Sequence, residues 1–187
     1  MLCPAAMKPS IPHIDRSIVL VGLMGAGKST VGRRLGKRLG LEFVDSDAEI
    51  ESASGYSIMD IFERFGEASF RDGERRVIAR LVDGPPKVIA TGGGAFIDPA
   101  TRALILERCL AIWLDADVHL LAERVSRRES RPLLKGKDPV AVLTSLAATR
   151  NPIYAEAHIH VRSEPAPHDN IVEQIVAALA ERNGRPR

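Results

Sequence analysis

The sequence predicts a three-layer α/β/α fold with a central five-stranded parallel sheet. Short apolar runs alternate with longer segments of helical period along the 187-residue chain. Such short apolar runs are typical of strands that helices cover on both faces of a parallel sheet. The first and third runs lead into glycines, at the strand ends where open α/β sheets bind their ligands.

The composition is that of one globular domain. Hydrophobic residues make up 45% and charged residues 27% of the chain, which excludes disorder, collagen and a coiled coil as the main state. Aromatic residues are only 4%, so the core must consist mostly of Ala, Val, Ile and Leu. The balance of 26 basic against 24 acidic residues argues against a nucleic-acid partner.

Cysteine use and hydropathy point to the cytoplasm and to no membrane contact. Cys3 and Cys109 form no C-x-x-C pair and no disulfide framework. No stretch approaches the ~20 apolar residues that a membrane span requires.

The N-terminal segment is predicted as a disordered tail over residues 1–16. It contains Pro4, Pro9 and Pro12 and lacks the apolar region of a signal peptide. A single domain over residues 17–187 then follows.

Five apolar runs are predicted as strands, and a helix joins the first two. In that helix, predicted over 28–39, Val31, Leu35 and Leu39 recur at i, i+4 and i+8 and so lie on one face. The strands are predicted over residues 17–21, 41–44, 88–90, 110–114 and 159–161.

The other segments of helical period are predicted as helices. Gly55 separates the first two, and Asn151-Pro152 predicts a break, because the residue before proline disfavours the helical region. A basic stretch over 126–138 contains proline and glycine and is predicted as a long loop that forms a lid. The helices are predicted over residues 48–52, 58–65, 67–82, 99–107, 118–125 and 138–157 and from Asp169 onward.

The first glycine-rich segment carries a nucleotide-binding motif. Residues 22–29 read GLMGAGKS, which is G-x-x-x-x-G-K-S between a predicted strand and a predicted helix. Glycines let the backbone turn its N–H groups toward phosphate oxygens, and the helix adds its positive N-terminal end. Lys28 can reach the β- and γ-phosphates, and the Ser29 hydroxyl can bind Mg²⁺. The motif predicts binding of a nucleoside triphosphate.

Other motifs narrow the class of nucleotide-binding protein. The D-x-x-G and N-K-x-D patterns of regulatory GTPases are absent from the sequence, as is the signature of transporter ATPases. The remaining class is a small kinase for a small molecule, which closes a lid over its site to exclude water.

Six motifs in a fixed order match one family. The chain resembles the shikimate kinase family, and the resemblance implies a P-loop kinase fold like that of nucleoside monophosphate kinases, with a mobile lid. It implies transfer of phosphate from ATP to the 3-hydroxyl of shikimate, on the route to chorismate and the aromatic amino acids, with Mg²⁺ as cofactor. We expect a monomer. The motifs are GLMGAGKST at 22–30, DSD at 45–47, FRDGE at 70–74, TGGG at 91–94, RPLL at 131–134 and RNPIY at 150–154.

The resemblance also implies which residues bind the nucleotide. Arg124 would lie near the adenine, although Arg127 or Arg128 could serve instead. Arg131 of the lid would reach the transferring phosphate, and Ser29 and Asp45 would hold Mg²⁺. The loop residues that would bind ATP are Gly25, Ala26, Gly27, Lys28, Ser29 and Thr30.

The acceptor would bind over about 46–75 and at two later motifs. Asp47 would contact the acceptor hydroxyls and orient or deprotonate the attacking one, so that Lys28, Asp47 and Arg131 form the catalytic set. By the same resemblance, the shikimate carboxylate would bind Arg71 and Arg150, and the triple glycine Gly92, Gly93 and Gly94 would contact the substrate.

Two points on this acceptor site follow from the residues themselves. If the second strand continues through Asp47, alternation would point Asp45 and Asp47 the same way; otherwise the pair could be turn or cap residues of the next helix. Glu74 is three residues after Arg71 and could orient its guanidinium.

Two other functions stay open from the sequence. The first is a P-loop kinase for another small metabolite, such as gluconate or a nucleoside monophosphate. The second is a nucleotide-dependent regulatory module without transfer activity. The carboxylate-binding pair Arg71 and Arg150, together with Asp47, distinguishes the shikimate hypothesis from the first.

Overall fold

The computed structural model describes residues 12–126, 138–163 and 168–183. These residues contain a five-stranded sheet of order β2-β3-β1-β4-β5 in which every pair of neighbours is parallel. The predicted fold class is thereby confirmed. The strands are β1 (Ile18–Val21), β2 (Glu42–Asp45), β3 (Lys87–Ala90), β4 (Leu110–Ala116) and β5 (Ile159–Ser163).

The helices lie between the strands as the alternating pattern predicts. They are α1 (Lys28–Leu39), α2 (Ser46–Ser54), α3 (Ile58–Val82), α4 (Pro99–Arg108), α5 (Val118–Ser126), α6 (Pro139–Tyr154) and α7 (His168–Asn183). The structure does not describe residues 127–137, so most of the predicted lid lies outside the described residues. The same holds for residues 1–11 of the predicted tail, whereas Ile14 packs against the core.

Connection handedness decides which face each helix covers. Parallel crossovers are right-handed, so connections that run in opposite directions along the sheet cover opposite faces. The β1–α1–β2 crossover runs toward the β2 edge, whereas the crossovers through α3, α4, α5 and α6 run the other way. Helix α1 packs with α7, and α3 packs with α4. The sheet is thereby covered on both sides, and β1 is completely buried at its centre.

Helix α1 shows how the sequence produces these elements. Val31, Leu35 and Leu39 are buried, as their spacing predicts. The helix starts after Gly27 and ends at Gly40, whose φ of 69° lies in the left-handed region that favours glycine. The amide of Gly40 donates to the Gly36 carbonyl and so closes the last turn.

The sequence predicts two interruptions of helices, of which the one at Pro152 is wrong and the one at Gly66 is confirmed. Helix α6 runs without a break through Pro152 to Tyr154. Pro152 has no N–H to donate to the carbonyl four residues earlier, but the next turn is still closed, because the Ala155 amide donates to the Asn151 carbonyl oxygen. The span of α3 contains two helices that meet at Gly66, whose φ of 78° and ψ of 172° are not helical, so the predicted division into helices over 58–65 and 67–82 is confirmed.

No helix within the described ranges is both long enough and apolar enough to cross a bilayer.

Candidate active site

A cleft of about 440 Å³ opens at the carboxyl ends of the central strands. The β1 and β3 loops form its floor, because their crossovers leave toward opposite faces of the sheet and so separate there. Four predicted site residues of the described ranges, Ala26, Arg71, Gly94 and Arg150, are not among the lining residues. The lining residues are Met24, Gly25, Gly27, Lys28, Ser29, Thr30, Asp45, Asp47, Thr91, Gly92, Gly93, Arg124, Val125 and His168.

The glycine-rich loop over 22–29 takes the shape that a phosphate cradle requires. Gly22 has φ 137°, and a Cβ there would lie 2.6 Å from the Leu114 carbonyl oxygen. Gly27 precedes the first residue of α1 and offers no side chain to cap it, so the first amides of α1 face the cleft. The loop therefore presents N–H groups and a helix N-terminus to an anion.

Two polar side chains follow this loop. The Lys28 ammonium donates to the carbonyl oxygens of Gly22 and Leu23 at 2.8 and 2.9 Å, so the side chain lies back over the loop. The Ser29 hydroxyl donates to Asp45 Oδ2 at 2.6 Å. A positive charge and a hydroxyl–carboxylate pair thus lie at one wall of the cleft.

Asp45 and Asp47 both line the cleft, but not by strand alternation. Strand β2 ends at Asp45, which is the N-cap of α2 and accepts from the Asp47 amide at 3.1 Å. Asp47 lies in the first turn of α2. The strand therefore does not continue through Asp47, and the cap alternative holds for Asp45. Capping and cleft exposure are compatible, because one Asp45 oxygen binds the amide and the other binds Ser29.

The triple glycine after β3 brings the backbone close to acidic side chains. A Cβ on Gly92 would lie 2.8 Å from Asp47 Oδ1 and 3.2 Å from Glu74 Oε1. Any larger residue at this position would displace the two carboxylates. Glu74 is buried, and burial raises the pKa of its carboxyl group, with Arg71 opposing and Asp47 and Asp98 adding to the rise.

The Arg71 guanidinium packs against Gly94, the last of the three glycines. A Cβ on Gly94 would come within 2.4–2.7 Å of three guanidinium atoms of Arg71. Arg71 Nη1 donates to Glu74 Oε2 at 2.7 Å and Nη2 donates to Glu67 Oε1 at 3.2 Å. The orienting contact expected between Glu74 and Arg71 is therefore present.

Arg150 reaches the same loop from α6. Its Nη1 donates to the Gly93 carbonyl oxygen at 3.2 Å, and the Tyr154 hydroxyl donates to that same oxygen. The two arginines, which sequence reasoning could not bring together, thus contact adjacent glycines beside Asp47. Tyr154 was missed as a site residue, although RNPIY contains it four residues after Arg150.

The other end of the cleft is formed by α5 and α7. Arg124 Nη1 lies 3.4 Å from both the Gly25 carbonyl oxygen and Ser163 Oγ. His168 Cε1 lies 3.9 Å from where a Cβ on Gly27 would be. Burial lowers the pKa of His168, and the charges of Arg124 and Arg34 lower it further, so the imidazole is neutral near pH 7. No motif contains His168, so nothing in the sequence marked it. Arg127, Arg128 and Arg131 lie outside the described residues.

Comparisons with known proteins identify the family of this chain. The family model described as "Shikimate kinase" matches residues 24–180. The shikimate kinase of Caulobacter vibrioides strain NA1000 is 61% identical over 170 residues, which cover 91% of this chain and 85% of that protein. The shikimate kinase of Zymomonas mobilis is 54% identical over 171 residues, covering 91% of this chain and 97% of that protein.

A solved structure extends the similarity to three dimensions. The shikimate kinase of Acinetobacter baumannii in complex with shikimate superposes with a TM-score of 0.88 at 37% identity. The alignment covers 91% of this chain and 96% of that chain. On the family model and on these relatives, the chain belongs to the shikimate kinase family.

Proposed function

We propose that this chain transfers the γ-phosphoryl group of ATP to the 3-hydroxyl of shikimate, giving shikimate 3-phosphate and ADP. One observation carries the proposal. Two guanidinium groups, from Arg71 and Arg150, contact adjacent glycines next to the Asp47 carboxylate and the phosphate loop. Such an arrangement suits an acceptor that bears both a carboxylate and hydroxyl groups.

The nucleotide binds along the glycine-rich loop. Backbone amides over residues 25–30 cradle the phosphates, and Lys28 leaves the Gly22 and Leu23 carbonyls to reach the β- and γ-oxygens. The γ-phosphate must face Asp47 for transfer to occur, so the nucleoside lies at the opposite end of the cleft. Arg124, which lines that end, supports our assignment of this residue to the adenine.

Mg²⁺ fits the pair formed by Ser29 and Asp45. A hydroxyl and a carboxylate 2.6 Å apart beside the phosphate loop are the oxygen donors that Mg²⁺ prefers. Ser29 would hold the ion directly and Asp45 through water. When bound, the ion neutralises charge on the β- and γ-phosphates.

The acceptor is held by charge and by shape. Arginine binds a carboxylate with two parallel hydrogen bonds, and the Glu74 contact fixes the Arg71 guanidinium for this role. Gly92 and Gly93 let the substrate approach the backbone. Asp47 accepts a hydrogen bond from the attacking hydroxyl and takes its proton during transfer.

Arg131 completes the proposed catalytic set from the lid. Its charge would reach the transferring phosphate when the lid closes, and it would stabilise the transition state there. We also propose that the enzyme is a monomer. We place the enzyme in the cytoplasm, where ATP is available, and in the route to chorismate.

A panel of acceptors tests the function directly. ADP release is followed by a coupled assay with Mg²⁺–ATP and with shikimate, gluconate, a nucleoside monophosphate or no acceptor. We expect release that depends on shikimate alone. Release with gluconate or a nucleotide would identify the related-kinase alternative, and equal release without any acceptor would support the regulatory module.

A further inference from the structure

Tyr154 is a buried phenol whose polar end reaches the acceptor wall. It is the last residue of α6, and its side chain has no exposed surface. Its ring lies among other aromatic rings, with centroids 6.4 Å from Phe96 and 6.0 Å from Trp113. Packing of this kind fixes the ring, so the hydroxyl can take only a narrow range of positions.

The Tyr154 hydroxyl lies at the meeting point of two acceptor-site groups. It donates to the Gly93 carbonyl oxygen, to which Arg150 Nη1 also donates. The Arg150 guanidinium also acts on the phenol, because it opposes the rise that burial causes in the pKa of Tyr154. Because Arg150 and Tyr154 are four residues apart on α6, they lie on one helix face. Phenol, guanidinium and carbonyl therefore form a triangle in which both side chains donate to the one carbonyl oxygen.

Gly93 transmits any shift of this triangle to the cleft. A Cβ on Gly93 would lie 3.6 Å from both the Gly22 carbonyl oxygen and the Met24 amide nitrogen. The Gly93 backbone therefore separates the phosphate loop from the arginines. A displacement of its carbonyl oxygen would move the wall against which an acceptor rests.

We propose that Tyr154 is a positioning residue for the acceptor, whose hydroxyl holds the Gly93 carbonyl and the Arg150 guanidinium in the arrangement that binds the substrate carboxylate. This inference rests on the proposed function. Tyr154 itself touches neither ATP nor shikimate. Its role is to restrict the Arg150 side chain before the substrate binds. Binding then costs less conformational entropy.

The protonated phenol suits this role. Burial raises the pKa of Tyr154, while the nearby charges of Arg150 and Arg71 oppose that rise without cancelling it. The hydroxyl therefore stays a donor to Gly93 throughout the physiological range. A phenylalanine would fill the same space and keep the ring packing, but it would leave the carbonyl and Arg150 without this contact.

The test compares the two tyrosines of the chain. Tyr154→Phe removes the buried hydroxyl, and Tyr56→Phe removes a hydroxyl on an exposed side chain and serves as the matched control. Steady-state kinetics give KM for each substrate, and isothermal titration calorimetry gives Kd for shikimate. We expect Tyr154→Phe to raise KM and Kd for shikimate about tenfold, with KM for ATP within about twofold of the native value.

A double-substitution cycle separates positioning from general stability. If Tyr154 acts through Arg150, Arg150→Lys combined with Tyr154→Phe should bind shikimate about as weakly as Arg150→Lys alone. Independent losses that multiply would overturn the proposal, as would equal loss of shikimate and ATP binding. Native shikimate binding by a folded Tyr154→Phe variant would overturn it as well.

A second measurement keeps Tyr154 as a tyrosine and labels it with fluorine, so it does not depend on whether Tyr154→Phe folds. In Tyr56→Phe protein made with 3-fluorotyrosine, Tyr154 gives the single fluorine resonance. We expect shikimate to shift that resonance and a non-hydrolysable ATP analogue to leave it in place. No shift with shikimate, in enzyme that phosphorylates it, would refute the positioning role alone. An enzyme that does not phosphorylate shikimate would refute the proposed function first and this inference with it.

Discussion

The two ends of the cleft are built in different ways. At the nucleotide end, the loop over 22–29 supplies its own contacts, because Lys28 bonds to carbonyl oxygens only five and six residues earlier. At the acceptor end, Asp47, Arg71 and Arg150 come from three helices and meet only around the glycines after β3. A short motif thus determines the first end, whereas tertiary packing determines the second.

This difference predicts which kind of substitution lowers activity at each end of the cleft. The nucleotide end should lose activity when a charge is removed, because its backbone shape persists without the side chain. The acceptor end should lose activity when a group is merely displaced, because its arginines depend on neighbours remote in sequence. Four substitutions, ordered from the largest expected effect to the smallest, test this distinction.

Lys28→Met removes the ammonium group from the nucleotide end and should have the largest effect. We expect kcat to fall by about 10³–10⁵-fold, the scale on which a cationic side chain stabilises a phosphoryl group in transfer. The fold should persist, because the loop keeps its glycine geometry. Coupled assays measure the effect, and Lys37→Met, an exposed lysine on the same helix, is the control. Native turnover by Lys28→Met would contradict the assignment of residues 22–29 as the phosphate-binding loop.

Asp47→Asn keeps the size of the side chain and removes its charge and basicity. We expect kcat to fall roughly 10²–10⁴-fold, as on loss of a general base, with weaker shikimate binding and unchanged ATP binding. Calorimetry with an ATP analogue and steady-state kinetics measure these effects separately. A native rate for Asp47→Asn would show that the proton does not pass to this carboxylate.

Asp45→Asn should produce a different defect, because Asp45 lies against Ser29 rather than the arginines. We expect higher Mg²⁺ requirements that excess metal partly relieves. A magnesium titration of turnover measures this shift. Lost shikimate binding with normal Mg²⁺ dependence would mean that the roles of the two carboxylates are reversed.

Gly94→Ala tests displacement without loss of charge. The new Cβ would collide with the Arg71 guanidinium, the movable end of a side chain, so Arg71 must shift while the backbone stays. We expect kcat/KM for shikimate to fall roughly 10- to 100-fold, with little change in Tm.

The matched control for that substitution is Gly73→Ala. Gly73 lies inside α3, and nothing lies within 4 Å of the position its Cβ would take. We expect alanine there to stabilise the fold by about 0.5–1 kcal/mol and to leave shikimate kinetics unchanged. If Gly94→Ala has native kinetics, the acceptor end tolerates displacement and the distinction between the two ends fails.

The sequence predicts the sheet and the nucleotide end well, because both depend on local pattern. Strand β1 is a continuous apolar run, and the residues around Lys28 form a motif whose geometry its own glycines determine. Gly66 similarly divides two helical patterns, and the backbone turns at that residue.

The acceptor end shows where such prediction stops. Motifs name Arg71 and Arg150 but do not show that they meet, since their separation depends on how α3 and α6 pack. Strand alternation would orient Asp45 and Asp47 alike only if β2 continued through Asp47, but α2 begins one residue after Asp45. Pro152 disfavours a helix locally, but the helix continues, and Tyr154 at its end forms contacts with Gly93 that no local pattern encodes.

The glycine that ends α1 has a backbone conformation that favours a D-amino acid over an L-amino acid. Gly40 has φ 69° and ψ 27°, the mirror image of ordinary helical backbone, and nothing lies within 4 Å of the position its Cβ would take. A D-alanine introduced there by chemical ligation would adopt this conformation without strain and restrict the unfolded chain. We expect it to raise the free energy of unfolding by about 0.4–1 kcal/mol in urea denaturation. The L-alanine of Gly40→Ala should lower it by about 1–2 kcal/mol, so that one methyl group changes stability in opposite directions according to its handedness.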